Sequence, residues 1–326
     1  MARASEKPIG KIEEFVLKSS GLLAFILLWE ALPRFGVLDP QFLPTFTATL
    51  AKVWEMLLDG VIFTSVMVSL WRVLAGLIVA AAVAVPLGFV IGAGGRSAEI
   101  RTGPLFRLLS QVNPFSLMPI FILFFGIGEV VKIAVVAWTC LWPLLFNTIE
   151  GVRNADPVVV KTAKAMSTPK LRMLTKVLLP EASPSIFSGL RIGVEMSFFM
   201  LIAAEMVGAT SGIGWLLHNS AMNMQIGRIY AASLAAVALG YALSRILRFL
   251  QAHAFFWREE LSLSRGDETQ QKQYALKKWQ MTAALAFLVL LLAVGTWQVE
   301  VSRQKQAQFN HVIHEHIIPA GQIQME

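Results

Sequence analysis

"VLAGLIVAAAVAVPLGFVIGAGG", residues 73–95, runs for 23 positions without a charged side chain. A bilayer core of roughly 30 Å is crossed by about 20 apolar residues at about 1.5 Å rise each, so this stretch is long enough to span. Two further uncharged runs, 108–128 and 279–299, hold 21 residues each. Shorter ones at 133–149 and 229–244 reach the lower end of that range. Soluble helices keep a polar face, and these runs have none. The whole chain of 326 residues is 56% hydrophobic and only 15% charged, against roughly 25% charged in a soluble domain. The pattern predicts an all-α membrane protein, a polytopic helical bundle with about seven transmembrane helices. The spans fall at 16–33, 66–92, 106–125, 130–149, 184–207, 229–250 and 279–299. The first follows a basic start but lacks a clear small-residue cleavage site, so it reads as a retained helix and not a signal peptide. Cys140, the one cysteine, lies inside an apolar run and excludes a disulfide framework.

The basic residues set the orientation. With a cytoplasmic N-terminus, one side collects 20 of the 28 Lys and Arg: four in the tail, three in the turn 93–108, six in the central loop and seven in 245–278. The other side holds six, and Arg72 and Arg191 fall within spans. That asymmetry predicts a cytoplasmic N-terminus and central loop and an extracytoplasmic C-terminus. The net charge of +7 is then a product of topology and contact with anionic lipid, and no nucleic acid is implied.

The central loop, "DPVVVKTAKAMSTPKLRMLTKVLLP" at 156–180, interrupts the apolar chain. Three times a capping residue precedes proline: Asp156–Pro157, Thr168–Pro169 and Ser183–Pro184. Asp, Thr and Ser accept from the free N–H groups of a first helical turn, and proline suits the first helical position. Two short amphipathic helices are predicted, about 157–167 and 169–179, with Pro180 ending the second and Ser183 starting the next span. From the residues alone, a lipid-adsorbed surface loop and a docking element for a partner protein both remain open.

Polar groups inside spans are costly and commonly functional. The fifth span carries Arg191, Glu195 and Glu205. Arg191 and Glu195 stand four residues apart and are expected to pair; the competing reading puts Glu195 on a solute path. Asn113 and Ser116 in "NPFSLMP" sit where two prolines break a helical ladder, a feature tolerated beside protein or a water-filled cavity. Met196 and Met200 read as packing or gate lining. No phosphate-binding loop of the G-x-x-x-x-G-K-[ST] type occurs, so the chain holds no ATP of its own. His311, His314 and His316 have a spacing at which imidazoles bind metals, yet they lie in a short tail, and no metal site is assigned.

The stretch "FNTIEGVRNADPVVVKTAKAMSTPKLRMLTKVLLPEASPSIFSGLRIG", with "GLRIGVEMSFFMLIAAEMVGATSGIGWLL" after it, resembles binding-protein-dependent ABC importer permeases, in particular the subfamily serving nitrate, sulfonate, taurine and related solutes. The resemblance covers roughly 60–255. It implies a type I ABC importer permease of the MetI-like fold in the bacterial inner membrane, moving solute inward by alternating access. It implies as partners a cytoplasmic ABC ATPase holding ATP and Mg, a second permease copy (the same chain or a different one) and an extracytoplasmic solute-binding protein. The implied division is a tail, first span and connector at 1–60, a core at 61–255 with a coupling loop at 151–184, a linker at 256–278, an added span at 279–299 and an outer tail at 300–326. The implied coupling residues are Asp156, Lys161, Thr162, Ala163, Ser167, Leu179 and Pro180. Pathway candidates are Asn113, Ser116, Arg191, Glu195, Met200 and Glu205; Arg191 and Glu205 match the family, whereas Glu195 replaces a small or apolar residue. The loop also departs from the family: Lys161 and Thr162 stand for Glu and Ala, and Ser167 stands for glycine. Those departures keep a second reading open, a non-coupling accessory or anchor subunit derived from such a permease.

Overall fold

The computed structural model describes residues 11–254, and every regular element among them is a helix. The expected span 279–299 and the tail histidines lie outside the described residues. Among the described residues, those from Lys11 to Ile62 with Leu217–Ala235 form one compact unit, and Phe63–Leu216 with those from Ala236 to Ala254 form the other.

In the first unit, α1 (Lys11–Arg34) contains the expected first span and leaves Leu22, Phe25 and Leu27 exposed, as a lipid-facing helix would. Glu30, an awkward residue for a span, accepts from the backbone N and the Oγ1 of Thr47 at 3.0 and 2.9 Å. It thereby ties α1 to the first turn of α2 (Phe46–Leu58), whose N-cap Thr45 accepts from Ala48 N. Trp29 donates to the Pro44 carbonyl at 3.1 Å and stacks edge-on against Phe46.

The second unit is built around α6 (Glu129–Arg153). It is flanked by α3 (Val61–Ala93) and α9 (Leu179–Met206). On α3 a small residue recurs every fourth position, Gly76, Ala80, Ala84, Gly88 and Gly92, which lines one face of the helix. Cβ atoms added at Gly76, Gly88 and Gly92 would lie 2.6, 2.6 and 2.8 Å from the Cβ atoms of Val136, Thr148 and Val152. The constant offset means that α3 and α6 run parallel in close backbone contact. In lipid, where no hydrophobic drive pushes helices together, such small-residue faces supply the packing. On the other side, Gly189 opposes Pro143 and Leu144 while Gly193 opposes Cys140, so α9 runs antiparallel to α6.

Because α3 and α6 are parallel, the chain between them must travel back. The sequence predicts one span at 106–125 for this; the structure shows two helices, α4 (Gly95–Ser110) and α5 (Met118–Phe125). Asn113 is the reason for the break. Its Oδ1 accepts from Phe115 N at 2.9 Å, an Asx turn that competes with helix, and Pro114 and Pro119 remove two donors. Four described stretches are long and apolar enough to cross a membrane: Val61–Ala93, Glu129–Arg153, Met173–Met206 and Ile226–Gln251. These match four of the predicted spans. The last belongs to α11 (Ile226–Ala254), reached through α10 (Ile213–Met222).

Candidate functional site

Two regions concentrate polar chemistry, at opposite ends of α6. At its C-terminal end lies the loop. Asp156 caps α7 (Pro157–Ala165), its Oδ1 accepting from Val158 N at 2.7 Å. The helix ends with Ser167 N donating to Lys164 O and Thr168 N to Ala163 O, at 2.9 and 3.2 Å. This pair of bonds is the Schellman closure, which needs a left-handed residue at the first position past the cap. Ser167 fills it with φ +53°. Serine, standing where the family has glycine, adopts the glycine conformation.

The second loop helix also differs from expectation. A single turn, α8 (Lys170–Arg172), passes into a π-helical turn, Met173–Leu178, and continues directly into α9. Pro180 does not end a helix, and Ser183 does not start one. Pro184 lacks the N–H that would reach the carbonyl four residues back, and Ser183 Oγ donates to that Pro180 carbonyl at 2.8 Å instead. The π-helical turn at 173–178 lies just ahead of Pro180, a single wide turn inside an otherwise regular helix. Leu178 and Ala182 pack on Val152 and Ala155, with Val160, Met173 and Leu174 closing the cluster. Ala163 is buried, while Lys161, Thr162, Ser167, Leu179 and Pro180 are exposed. Beside the loop base, a cavity of about 280 Å³ lies between α4 and α6, with Phe106 and Phe146 in its lining and the Arg153–Glu99 ion pair at its edge.

At the other end, about 36 Å along α6 by its 24-residue rise, is a buried charge network. Arg72, with no exposed surface, donates through Nε and Nη2 to both oxygens of Glu129 at 2.6 and 2.7 Å. Its Nη1 reaches Glu205 Oε1 at 2.6 Å and the Ser211 carbonyl at 2.7 Å. Lys132 Nζ donates to Glu129 Oε1 at 3.1 Å, so two cations offset two carboxylates. Glu205 further accepts from Ser69 Oγ at 2.8 Å and from Gly214 N at 2.8 Å. Ser69 Oγ in turn accepts from Ile213 N at 3.0 Å. The first two N–H groups of α10, which a helix cannot satisfy internally, thus end on α3 and α9 side chains. Gly212, at φ +112°, allows this approach: a Cβ there would lie 2.5 Å from Glu205 Cδ.

The structure brings only Glu205 of the predicted pathway residues into this network. The expected Arg191–Glu195 pair does not form: Glu195 Oε1 accepts from Ser244 Oγ at 2.6 Å, and Arg191 Nε is buried without a hydrogen-bond partner. On α9, Arg191 stands about half a turn from Gly189 and Gly193, the residues that meet α6. Met200 packs with Met118, Val131, Val135 and Ala204 against α6, whereas Met196 and Phe199 stand exposed. Asn113 and Ser116 lie in the turn between α4 and α5. Sequence reasoning passed over Arg72, Glu129, Lys132 and Ser69. Arg72 enters the sequence reading only as a cation that falls within a span, and a charge there is itself the signal.

Comparison with known proteins agrees with this architecture. Residues 84–255 match the model of the binding-protein-dependent transport system inner membrane component family. The bicarbonate transport system permease protein CmpB of Synechococcus elongatus is 31% identical over 252 residues, 74% of this chain and 90% of that protein. The taurine transport system permease protein TauC of Escherichia coli K12 is 27% identical over 252 residues, covering 76% and 91%. By the extent of that match, this chain belongs to the family of inner membrane components of binding-protein-dependent transport systems.

Proposed function

We propose that this chain is the transmembrane permease of an ATP-driven importer for a small polar solute such as bicarbonate or taurine, the solutes named for its relatives. A cytoplasmic ATPase docks on the loop 157–178, a second permease copy completes the path, and an extracytoplasmic binding protein delivers the solute. The N-terminus and the loop face the cytoplasm, following the Lys and Arg asymmetry. The observation that carries this reading is the loop itself. A tight serine turn joins α7 to the helical stretch that runs into α9, seated where α6 meets α9, and the loop presents Val158, Val159, Met166 and Leu171 outward among Lys161, Lys164 and Arg172. A segment so capped and packed moves as one body with α6 and α9, which suits it to convert ATPase closure into tilting of the spans. Exposed lysines in place of an acidic residue call for an acidic surface on the ATPase.

The test is purification from native membrane with its ATPase, followed by reconstitution with the binding protein and measurement of ATP-dependent solute uptake. Lys161→Glu is expected to weaken ATPase retention and lower uptake about tenfold, the usual order for one coupling contact. Absence of any ATPase from a folded, solubilised permease would overturn the reading.

A further inference from the structure

The buried network has a feature that the packing of three helices does not require. Helix association needs only Arg72 with Glu129 and Glu205, yet the network also reaches three backbone groups of 211–214: the Ser211 carbonyl, Ile213 N and Gly214 N. Each is held by a different side chain, Arg72, Ser69 and Glu205. Gly212 lets the backbone lie against the Glu205 carboxylate, and a Cβ at Gly214 would lie 2.7 Å from Glu205 Cβ. The start of α10 is therefore fixed to Glu205, which lies one residue from the end of α9, the helix that begins at the coupling loop.

Resting on the proposed importer reading, we infer that Arg72 and Ser69 are positioning residues. Acting through Glu205, they fasten the N-terminus of α10 to α9, so that a load placed on the extracytoplasmic turn 208–214 is transmitted along α9 to the loop. The partner that loads this turn is the solute-bound binding protein. Coupling between sites is reciprocal, so the same fastening carries ATPase closure outward to that turn. Two properties suit the network to this task. It is charge-balanced, so it stays buried at tolerable cost only while all its members are paired. Its Arg72 contacts use a planar fork that lysine cannot reproduce.

The experiment uses the full complex of permease, ATPase and binding protein in lipid nanodiscs. The readout is the ratio of ATP hydrolysis with solute-loaded binding protein to hydrolysis without it. Arg72→Lys keeps the charge and loses the fork; Ser69→Ala leaves the arginine pairs and removes only the grip on Ile213 N and one bond to Glu205; Ser69→Thr keeps the hydroxyl. The ratio is expected to fall about tenfold in Arg72→Lys and about fivefold in Ser69→Ala, and to recover in Ser69→Thr. Should Arg72→Lys fail to assemble, the Ser69 pair decides. Assembled Ser69→Ala complexes with the wild-type ratio would overturn the inference. A wild-type complex that shows no stimulation and no uptake would count instead against the importer reading, and the inference would fall with it.

Discussion

Ser167 and Gly212 show how single residues set this molecule's local geometry. Ser167 occupies a left-handed position that costs an L-residue about 1–2 kcal/mol relative to glycine in the same conformation. Because glycine also loses more chain entropy on folding, Ser167→Gly is expected to stabilise the loop by about 0.5–1 kcal/mol, seen as slower hydrogen exchange across 163–168. Faster exchange there would show that serine contributes a bond outweighing its backbone strain. Gly212 is the opposite case, since its φ of +112° and the nearby Glu205 carboxylate leave no room for a methyl group. Gly212→Ala should destabilise the detergent-solubilised protein by at least about 2 kcal/mol, through strain and displacement of buried bonds. An unchanged thermal midpoint would contradict this. Both residues were visible in the sequence, Ser167 as a departure from a glycine position. Nothing in the sequence, however, could tell that serine would take the glycine conformation, because the choice depends on whether Thr168 N and Ala163 O can meet.

Among the elements, the helix pairs depend on small residues more than on large ones. Gly189 on α9 touches the backbone of Pro143 and Leu144, so added atoms meet main chain that cannot turn aside. Gly189→Val is expected to force α6 and α9 apart and cost about 1–3 kcal/mol, the range for overpacking a close interface. Differential scanning in detergent measures it, and a variant as stable as wild type would show that the two helices can slide. The apolar runs of α3 and α6 were legible because span length follows from bilayer thickness. The fourth-residue ridge of Gly76 to Gly92 was present in the same letters but went unread, since a count of missing charges is blind to which side of a helix is small. The proline-based boundaries failed for a related reason. Pro180 and Pro184 read as helix punctuation, yet Ser183 supplies a bond to the carbonyl that Pro184 leaves open, and the chain stays helical from residue 170 into the membrane.

Across the whole molecule, orientation rests on the distribution of Lys and Arg and can be measured directly. Cys140 is the one cysteine and is buried, so an introduced thiol can be read without background. Lys164→Cys should react with a membrane-impermeant maleimide in inverted vesicles, and Asp59→Cys in right-side-out vesicles. The reverse pattern would invert the proposed topology. The sequence by itself determined the class of the molecule, four of its spans and the place of its loop along the chain. Those properties follow from bilayer thickness and helix-start chemistry, both of which act over a few neighbouring residues. The tertiary structure alone decided that Arg72 joins Glu129 and Glu205, residues 57 and 133 positions away, and that Arg191 and Glu195, four apart, do not pair. A buried charge selects whichever partners the packed helices bring within reach, and the parallel docking of α3 on α6, with α9 antiparallel, fixes that.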